Sequence, residues 1–384
     1  MYGKAFAPEY QGALGSLSVN SSLADVLVRA TEQLRAAERE GTRQEAARCS
    51  LAVAEAHRRL GNTGEADRAW KASYRTARSA GDAGAMAWAA WSGGTLARQR
   101  GAMPLARRLL TLSAELGERD GDILARGYAI AGLAETGRIQ GDYEAVDELH
   151  EQLLAEARER GEARHMVWAL EGIAQMRRNT GAYDSALAMF EEAAAIAEEA
   201  DDRRGRAWAL RGVADLVSVR DGDTERALAL LSEAAELCRA MNLAGALAYN
   251  HKMRGNVLYR ARRYSEARRM YEQARSEFLV IGERRGEALA RLGLIKSHSR
   301  LGREPGRTSA DLDELRRALE SIGLHHARRL TDDARTELGL APAEATPEAE
   351  ARRKTTGGER ETGGERETDR QHGADEDGEK AAAA

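Results

Sequence analysis

The sequence predicts an all-α solenoid, with helical hairpins stacked along one axis. Three observations predict it. First, a phrase recurs every forty residues: Trp168-Ala-Leu-Glu-Gly172-Ile-Ala, then Gly181-Ala-Tyr183-Asp-Ser-Ala186, returns as Trp208-Ala-Leu-Arg-Gly212-Val-Ala, then Gly222-Asp-Thr-Glu-Arg-Ala227. Periods of this size mark repeat architectures. Second, turn residues keep the same register. Glycines stand at Gly61, Gly101, Gly141, Gly181, Gly222 and Gly302, with Arg262 in the gap, and about halfway between stand Gly81, Gly121, Gly161, Asp201, Asn242 and Gly282. Third, the intervening segments carry apolar residues at helical spacing, as in Leu187, Phe190, Ala194 and Ala197, and no alternating Val/Ile/Thr run competes with them.

Each unit therefore reads as a helix, a tight turn and a second helix. Gly or Asn suits the left-handed position that ends a helix. A small or apolar residue five places after the turn, at Ala66, Ala106, Val146, Ala186, Ala227 and Ala267, lets two helices approach closely. One hairpin cannot bury its apolar face alone, whereas stacked copies bury a continuous core.

Taken in order, residues 1–20 have no period and read as a flexible arm. Residues 21–42 read as a cap helix, with Leu23, Val26, Leu27, Ala30 and Leu34 on one side. The repeat array spans 43–340 in about seven units, beginning at 43, 83, 122, 162, 203, 243 and 284. Pro104 fits the first turn of its helix, where a missing N–H costs nothing. One extra residue near Asp221 lengthens the fifth unit. In the seventh, the stretch Arg303 to Ser309 reads as a replacement turn, followed by a helix over Asp311–Ile322. A last helix, His325–Leu338, caps the array with Asp332, Asp333, Arg335 and Glu337 as a polar outer face. Residues 341–384 carry a duplicated Thr-Gly-Gly-Glu-Arg-Glu and no apolar residue able to support a core, so a disordered tail is expected.

Composition narrows the function. The net charge is −4, from 58 basic and 62 acidic residues, so no global basic excess draws the chain to nucleic acid or an anionic membrane. Lysine occurs at only six positions, so arginine carries most of the positive charge, as codon bias in a G+C-rich bacterium would produce. Cys49 and Cys238 lie in different units and read as buried, unpaired thiols. No signal-peptide core and no run of 18 apolar residues is present, which points to the cytoplasm. No metal-binding histidine spacing, phosphate-binding loop or nucleophile elbow occurs, so neither catalytic residues nor cofactors are expected.

The turn phrases Gly181/Tyr183/Ala186, Gly141/Tyr143 (with Val146) and Tyr264/Ala267, and the small residues Gly94, Ala134, Ala174 and Gly255 seven places before each turn, resemble the tetratricopeptide repeat family in a forty-residue form. The resemblance covers roughly residues 43–323. It implies a right-handed α-solenoid whose concave face holds a protein or peptide segment. It is similar to the repeat arrays of large actinobacterial transcription regulators, without their ATPase or DNA-binding parts, and more distantly to bacterial peptide-sensing repeat proteins.

On that register the first helix of each unit faces the groove. It places Trp88, Tyr128, Trp168, Trp208 and Tyr249 there, with Leu289 last, and Ser92, Gly132, Gly172, Gly212 and Gly293 one turn on as bare patches, Met253 being the exception. Next on the same face come Glu135, Gln175, Asp215 and Asn256. Arg98, Arg138 and Arg178 recur toward the helix ends, where guanidinium forks suit a partner's carboxylates. The rings read in two ways: as an internal ladder packed on neighbouring glycines, or as the lining of a binding groove. Two functions follow. One is a non-enzymatic scaffold or adaptor. The other is an enzyme or enzyme subunit whose aromatic groove takes a small apolar metabolite.

Overall fold

The computed structural model describes residues 23–321 and 327–341. The expected arm at 1–20 and the expected tail beyond Ala341 lie outside the described residues. Among the described residues there is no strand, and sixteen α-helices follow one another in chain order. A single helix, α1 (Leu23–Glu40), precedes seven hairpins. These are α2 (Arg43–Arg59) with α3 (Thr63–Ala80), α4 (Ala83–Gln99) with α5 (Met103–Asp120), α6 (Ile123–Gln140) with α7 (Tyr143–Arg160), and α8 (Ala163–Asn179) with α9 (Tyr183–Glu199). Then come α10 (Arg203–Leu216) with α11 (Thr224–Ala240), α12 (Ala244–Arg260) with α13 (Tyr264–Val280), and α14 (Arg284–Arg300) with α15 (Pro305–Ser321). The last helix is α16 (Ala327–Leu338). No helix of the described residues is long and apolar enough to cross a membrane.

The turns explain the regularity. Each turn glycine of the register has a positive φ, and where glycine is missing Asp201, Asn242 and Arg262 take the same left-handed conformation. The residue after it then closes the preceding helix, as when Asp82 N–H donates to the Ala77 carbonyl at 3.0 Å and Asp122 N–H to Gly117 at 2.8 Å. The same residue opens the next helix. The carboxylates of Asp82, Asp122, Asp202, Asp223 and Glu283 each accept the N–H three residues on. One residue thus ends one helix, starts another and fixes the angle between them.

The extra residue of the fifth unit is absorbed without breaking register. The end of α10 widens into a π-helical turn over Val217–Asp221 before Gly222 restores the left-handed turn. The seventh unit differs from the sequence reading. Its turn lies at Gly302, and α15 already begins at Pro305, because proline at a helix start sacrifices only an N–H that has no partner there. Arg335 is also not on an outer face. It is 3% exposed and reaches Ser309 and Asp313 from α16, tying that helix to α15. Cys49 and Cys238 are both buried free thiols.

Outer and inner helices interlock through glycine hollows. On the inner helices α6, α8, α10 and α14, Gly132, Gly172, Gly212 and Gly293 receive Leu110, His150, Phe190 and Tyr271 from the outer helix of the unit before. A β-carbon at any of the four would collide with that side chain. The glycines expected to stand bare in the groove are therefore filled from behind.

The array curves until it meets itself. Ile281, in the turn between α13 and α14, lies against Gly61, in the turn between α2 and α3, so closely that a β-carbon on Gly61 would sit 2.7 Å from Ile281 Cγ2. Gln99, at the end of α4, donates its amide to the Ile281 carbonyl at 3.2 Å. Leu23 and Leu60 join a cluster with Ala207, Leu210, Cys238 and Met241, while Met103 and Ile139 join one with Ala288, Ile295 and Leu312. The early units thus touch the late ones along a seam. The open groove expected from sequence is a walled chamber.

The seam can be weighed with a matched pair of variants. Alanine at a left-handed position costs roughly 1–2 kcal/mol wherever it is placed. Gly81 has open space around it, whereas Gly61 meets Ile281. Gly61→Ala is expected to lower the melting temperature clearly more than Gly81→Ala. Equal shifts would show that the seam contributes nothing to stability.

Candidate functional site

The chamber has a volume of about 390 Å³, and every inner helix from α2 to α14 contributes to its wall. Helical register decides which residues arrive there. Positions four before, three after and seven after the groove aromatic share its face. In the fourth unit these are Arg164, Trp168, Glu171 and Gln175, and all four line the chamber. In the fifth, Arg204, Trp208 and Arg211 do so, and in the sixth Gly245, Tyr249 and Lys252. The earlier units are less charged here. Trp88 and Trp91 come from α4 and Tyr128 from α6.

The aromatic residues touch one another and also face the cavity. Trp88 lies 5.6 Å from Trp91 and 5.2 Å from Tyr128, and Tyr128 lies 5.7 Å from Trp168, all with tilted or edge-on rings. Trp88 Nε1 donates to Asp122, the N-cap of α6, at 2.8 Å. Trp88 and Trp91 are buried, at 3% and 6% exposure, whereas Trp168 and Trp208 keep part of their surface open to the chamber. Guanidiniums stack on the exposed pair. Arg164 lies 5.9 Å from Trp168 and 5.2 Å from Trp208, and Arg204 lies 4.5 Å from Trp208.

Charge on the wall is unbalanced, with nine basic side chains against four acidic ones. Some are matched. Glu55 accepts from Arg58 at 2.7 Å and from Ser92 at 2.6 Å, and Glu135 accepts from Arg138 at 2.7 Å with Arg98 at 3.6 Å. Burial alone would raise both carboxyls, but the guanidiniums outweigh it and hold each at about 2. Arg164 pairs with buried Asp202 at 2.6 Å. Other charges are unmatched. Among the described residues no carboxylate stands within ion-pair distance of Arg204, Arg211, Lys252 or Arg285, and the Nε atoms of Arg204 and Arg285 are buried without a hydrogen-bond partner. Burial, reinforced by Arg285, lowers Lys252 to about 7. Burial raises Glu171 to about 8, so it is a neutral acid at pH 7, and its Oε1 has no partner.

Of the residues singled out in the sequence, the chamber wall includes Trp88, Arg98, Tyr128, Glu135, Arg138, Trp168, Gln175, Trp208 and Tyr249. Arg98 and Arg138 are both occupied with Glu135. Arg178, Asp215 and Asn256 lie off the wall. Asp215, 2% exposed, is gripped by Arg178 at 2.5 Å and Arg260 at 2.7 Å, and Asn256 accepts from Tyr271 at 2.8 Å. The sequence reading passed over Glu55, Trp91, Arg164, Arg204, Arg211, Lys252 and Arg285. Arg164, Arg204 and Arg285 do share one register position, four residues before the groove aromatic or its leucine equivalent. Among the described residues no three His, Cys, Asp or Glu side chains come together as a metal site would require.

A tetratricopeptide repeat family model matches residues 165–240. No curated protein matches the chain. Solved structures with a similar course include a signal transduction ATPase with a tetratricopeptide repeat sensor from Pyrococcus horikoshii, at 14% identity and TM-score 0.46, over 83% of this chain and 50% of that one. This chain therefore spans half the length of that protein. A Rap protein complexed with competence and sporulation factor is 12% identical at TM-score 0.47, over 76% of each chain. BtubC from P. vanneervenii is 15% identical at TM-score 0.36, over 72% of this chain and 98% of that one.

The wall sets the response to acid. Glu55 and Glu135 sit at about 2 in the folded chain against 4.5 ordinarily, and burial lowers His150 to about 4 from 6.5. In each case the unfolded chain takes up the proton first as pH falls, so stability present above the ordinary value is lost below it. Between pH 6.5 and 4.5 the loss through His150 is opposed by Glu171, whose raised carboxyl holds its proton in the folded chain, so the melting temperature is expected to fall steeply only below about pH 4.5, through the two glutamates. A melting temperature that stays flat from about pH 4.5 to 3 would contradict the arginine-held charges of Glu55 and Glu135.

Proposed function

We propose that this chain, whose residues 165–240 are tetratricopeptide repeat sequence and whose other hairpins keep the same register, is a non-enzymatic binding protein that receives a short peptide segment of a partner in its central chamber. The observation that carries the reading is the half-open pair Trp168 and Trp208, presented side by side on α8 and α10 with their guanidinium neighbours facing the cavity. Tryptophans of this kind offer large contact area and little rotamer entropy to lose, which suits an anchor for a partner's side chain. The cavity volume falls in the range of sites that enclose a compact ligand, which favours a short segment over a whole folded domain. An apolar metabolite would leave the unmatched cations of the wall unanswered, and the charge balance speaks against it.

Tryptophan variants separate binding from packing. Trp88, locked among Trp91, Tyr128 and Asp122, is structural, and Trp88→Ala is expected to destabilise by about 3–5 kcal/mol. Trp168→Ala and Trp208→Ala are expected to melt much closer to wild type. They should nevertheless lose most of the enrichment that the wild-type chain shows in selection from a displayed random hexapeptide library. If the two variants enrich the same peptides as wild type, the chamber is not where peptides bind.

A further inference from the structure

Two halves of the chamber differ in character. Aromatic rings line both, but the arginines of the early half, Arg58, Arg59, Arg98 and Arg138, are paired with Glu55 and Glu135, while most cations of the late half have no carboxylate at ion-pair distance. On the late half the unmatched cations are not scattered. Arg204 and Arg211 stand two helical turns apart on α10, and Lys252 and Arg285 face them from α12 and α14. Arg204 is pressed by burial and by the like charges of Arg59, Arg164 and Arg58. Arginine does not release its proton in a protein, so that pressure registers a positive charge that the more distant Asp202, itself paired with Arg164, offsets only in part. A folded chain tolerates such an arrangement at a cost in stability, which is a common property of binding sites that await an opposite charge. Between the poles sits Glu171, with one carboxyl oxygen buried and unpartnered. When protonated it is a hydrogen-bond donor, not a competing anion.

We propose that the basic half of the chamber, built from Arg204, Arg211, Lys252 and Arg285, is a subsite for a ligand that carries two or more anionic groups on an aromatic or apolar body. The guanidiniums take the anionic groups, Lys252 takes up its proton fully as one arrives, and the body lies against Trp168 and Trp208. Two sources present this chemistry: a peptide with acidic side chains and a small phosphate-bearing molecule. The assignment rests on the chamber being the binding place, as proposed above.

The test uses the full chain and Arg204→Gln and Lys252→Gln variants, with two kinds of probe. In the first arm, a displayed random hexapeptide library is selected on each protein. In the second, ATP and inorganic tripolyphosphate are titrated by calorimetry. The subsite predicts either enrichment of peptides with at least two Asp or Glu beside an aromatic residue, or binding of the phosphate probes. Whichever is seen should weaken at least tenfold in both variants. Ligand-free Arg204→Gln should melt at or above the wild-type temperature, since it removes an unmatched charge. Enriched peptides without acidic bias would overturn the subsite and leave the peptide reading standing. Phosphate binding with no peptide enriched would support the subsite and overturn the peptide reading. Failure of both arms, an acidic preference unchanged in the variants, or a clear fall in the melting temperature of ligand-free Arg204→Gln would overturn the subsite.

Discussion

The fit of one outer side chain into a glycine hollow on the next inner helix governs the whole molecule. Leu110, His150, Phe190 and Tyr271 perform it at Gly132, Gly172, Gly212 and Gly293. The hollow lets a bulky residue come within contact of backbone, so neighbouring units settle at one spacing and one tilt. A small rotation repeated identically becomes curvature. Here the curvature is tight enough that the junction of the sixth and seventh units returns to the first, and Ile281 reaches Gly61. The chamber is therefore a product of packing behind its wall, and the wall residues are free to carry charge.

That freedom shows in how the inner face is used. The position of the groove aromatic is nearly constant, but those around it vary along the array. Four residues earlier the chain reads Gly84, Leu124, Arg164, Arg204, Gly245 and Arg285, and three later it reads Trp91, Ala131, Glu171, Arg211, Lys252 and Leu292. Residues with matched partners stiffen the wall, as Glu55 and Glu135 do with their arginines. Those without partners give it a net positive field. In a confined space bordered by protein, such a field is much less screened than on a surface.

Much of the architecture was legible in the sequence because its causes are local. A left-handed residue ends a helix whether it is glycine, Asn242 or Arg262, and the regular spacing of such residues announced the hairpins. The groove aromatics were legible for the same reason, since a fixed period puts them on a fixed face. What stayed hidden depends on distant residues. Nothing near Gly61 in the sequence mentions Ile281, so the seam could not be read from the period. Arg178 and Asp215 were placed in the groove by register, but Asp215 turns instead to arginines of the units on both sides. The basic face was visible in principle at Arg164, Arg204 and Arg285. Its alternation with Gly245 and Leu124 obscured it, because a varying position does not look like a motif.

The contact between Gly61 and Ile281 has a consequence for how such an array can change in length. An unclosed stack of hairpins tolerates the gain or loss of a unit, since each copy needs only its neighbours. A stack whose first hairpin abuts the junction between its sixth and seventh does not. Inserting or deleting one hairpin would rotate the late units out of reach of the early ones and leave Leu23, Leu60, Met103 and Ile139 without their distant neighbours. The number of hairpins is thereby made a property of the fold as a whole, and duplication, the usual way repeat proteins diversify, is closed to it.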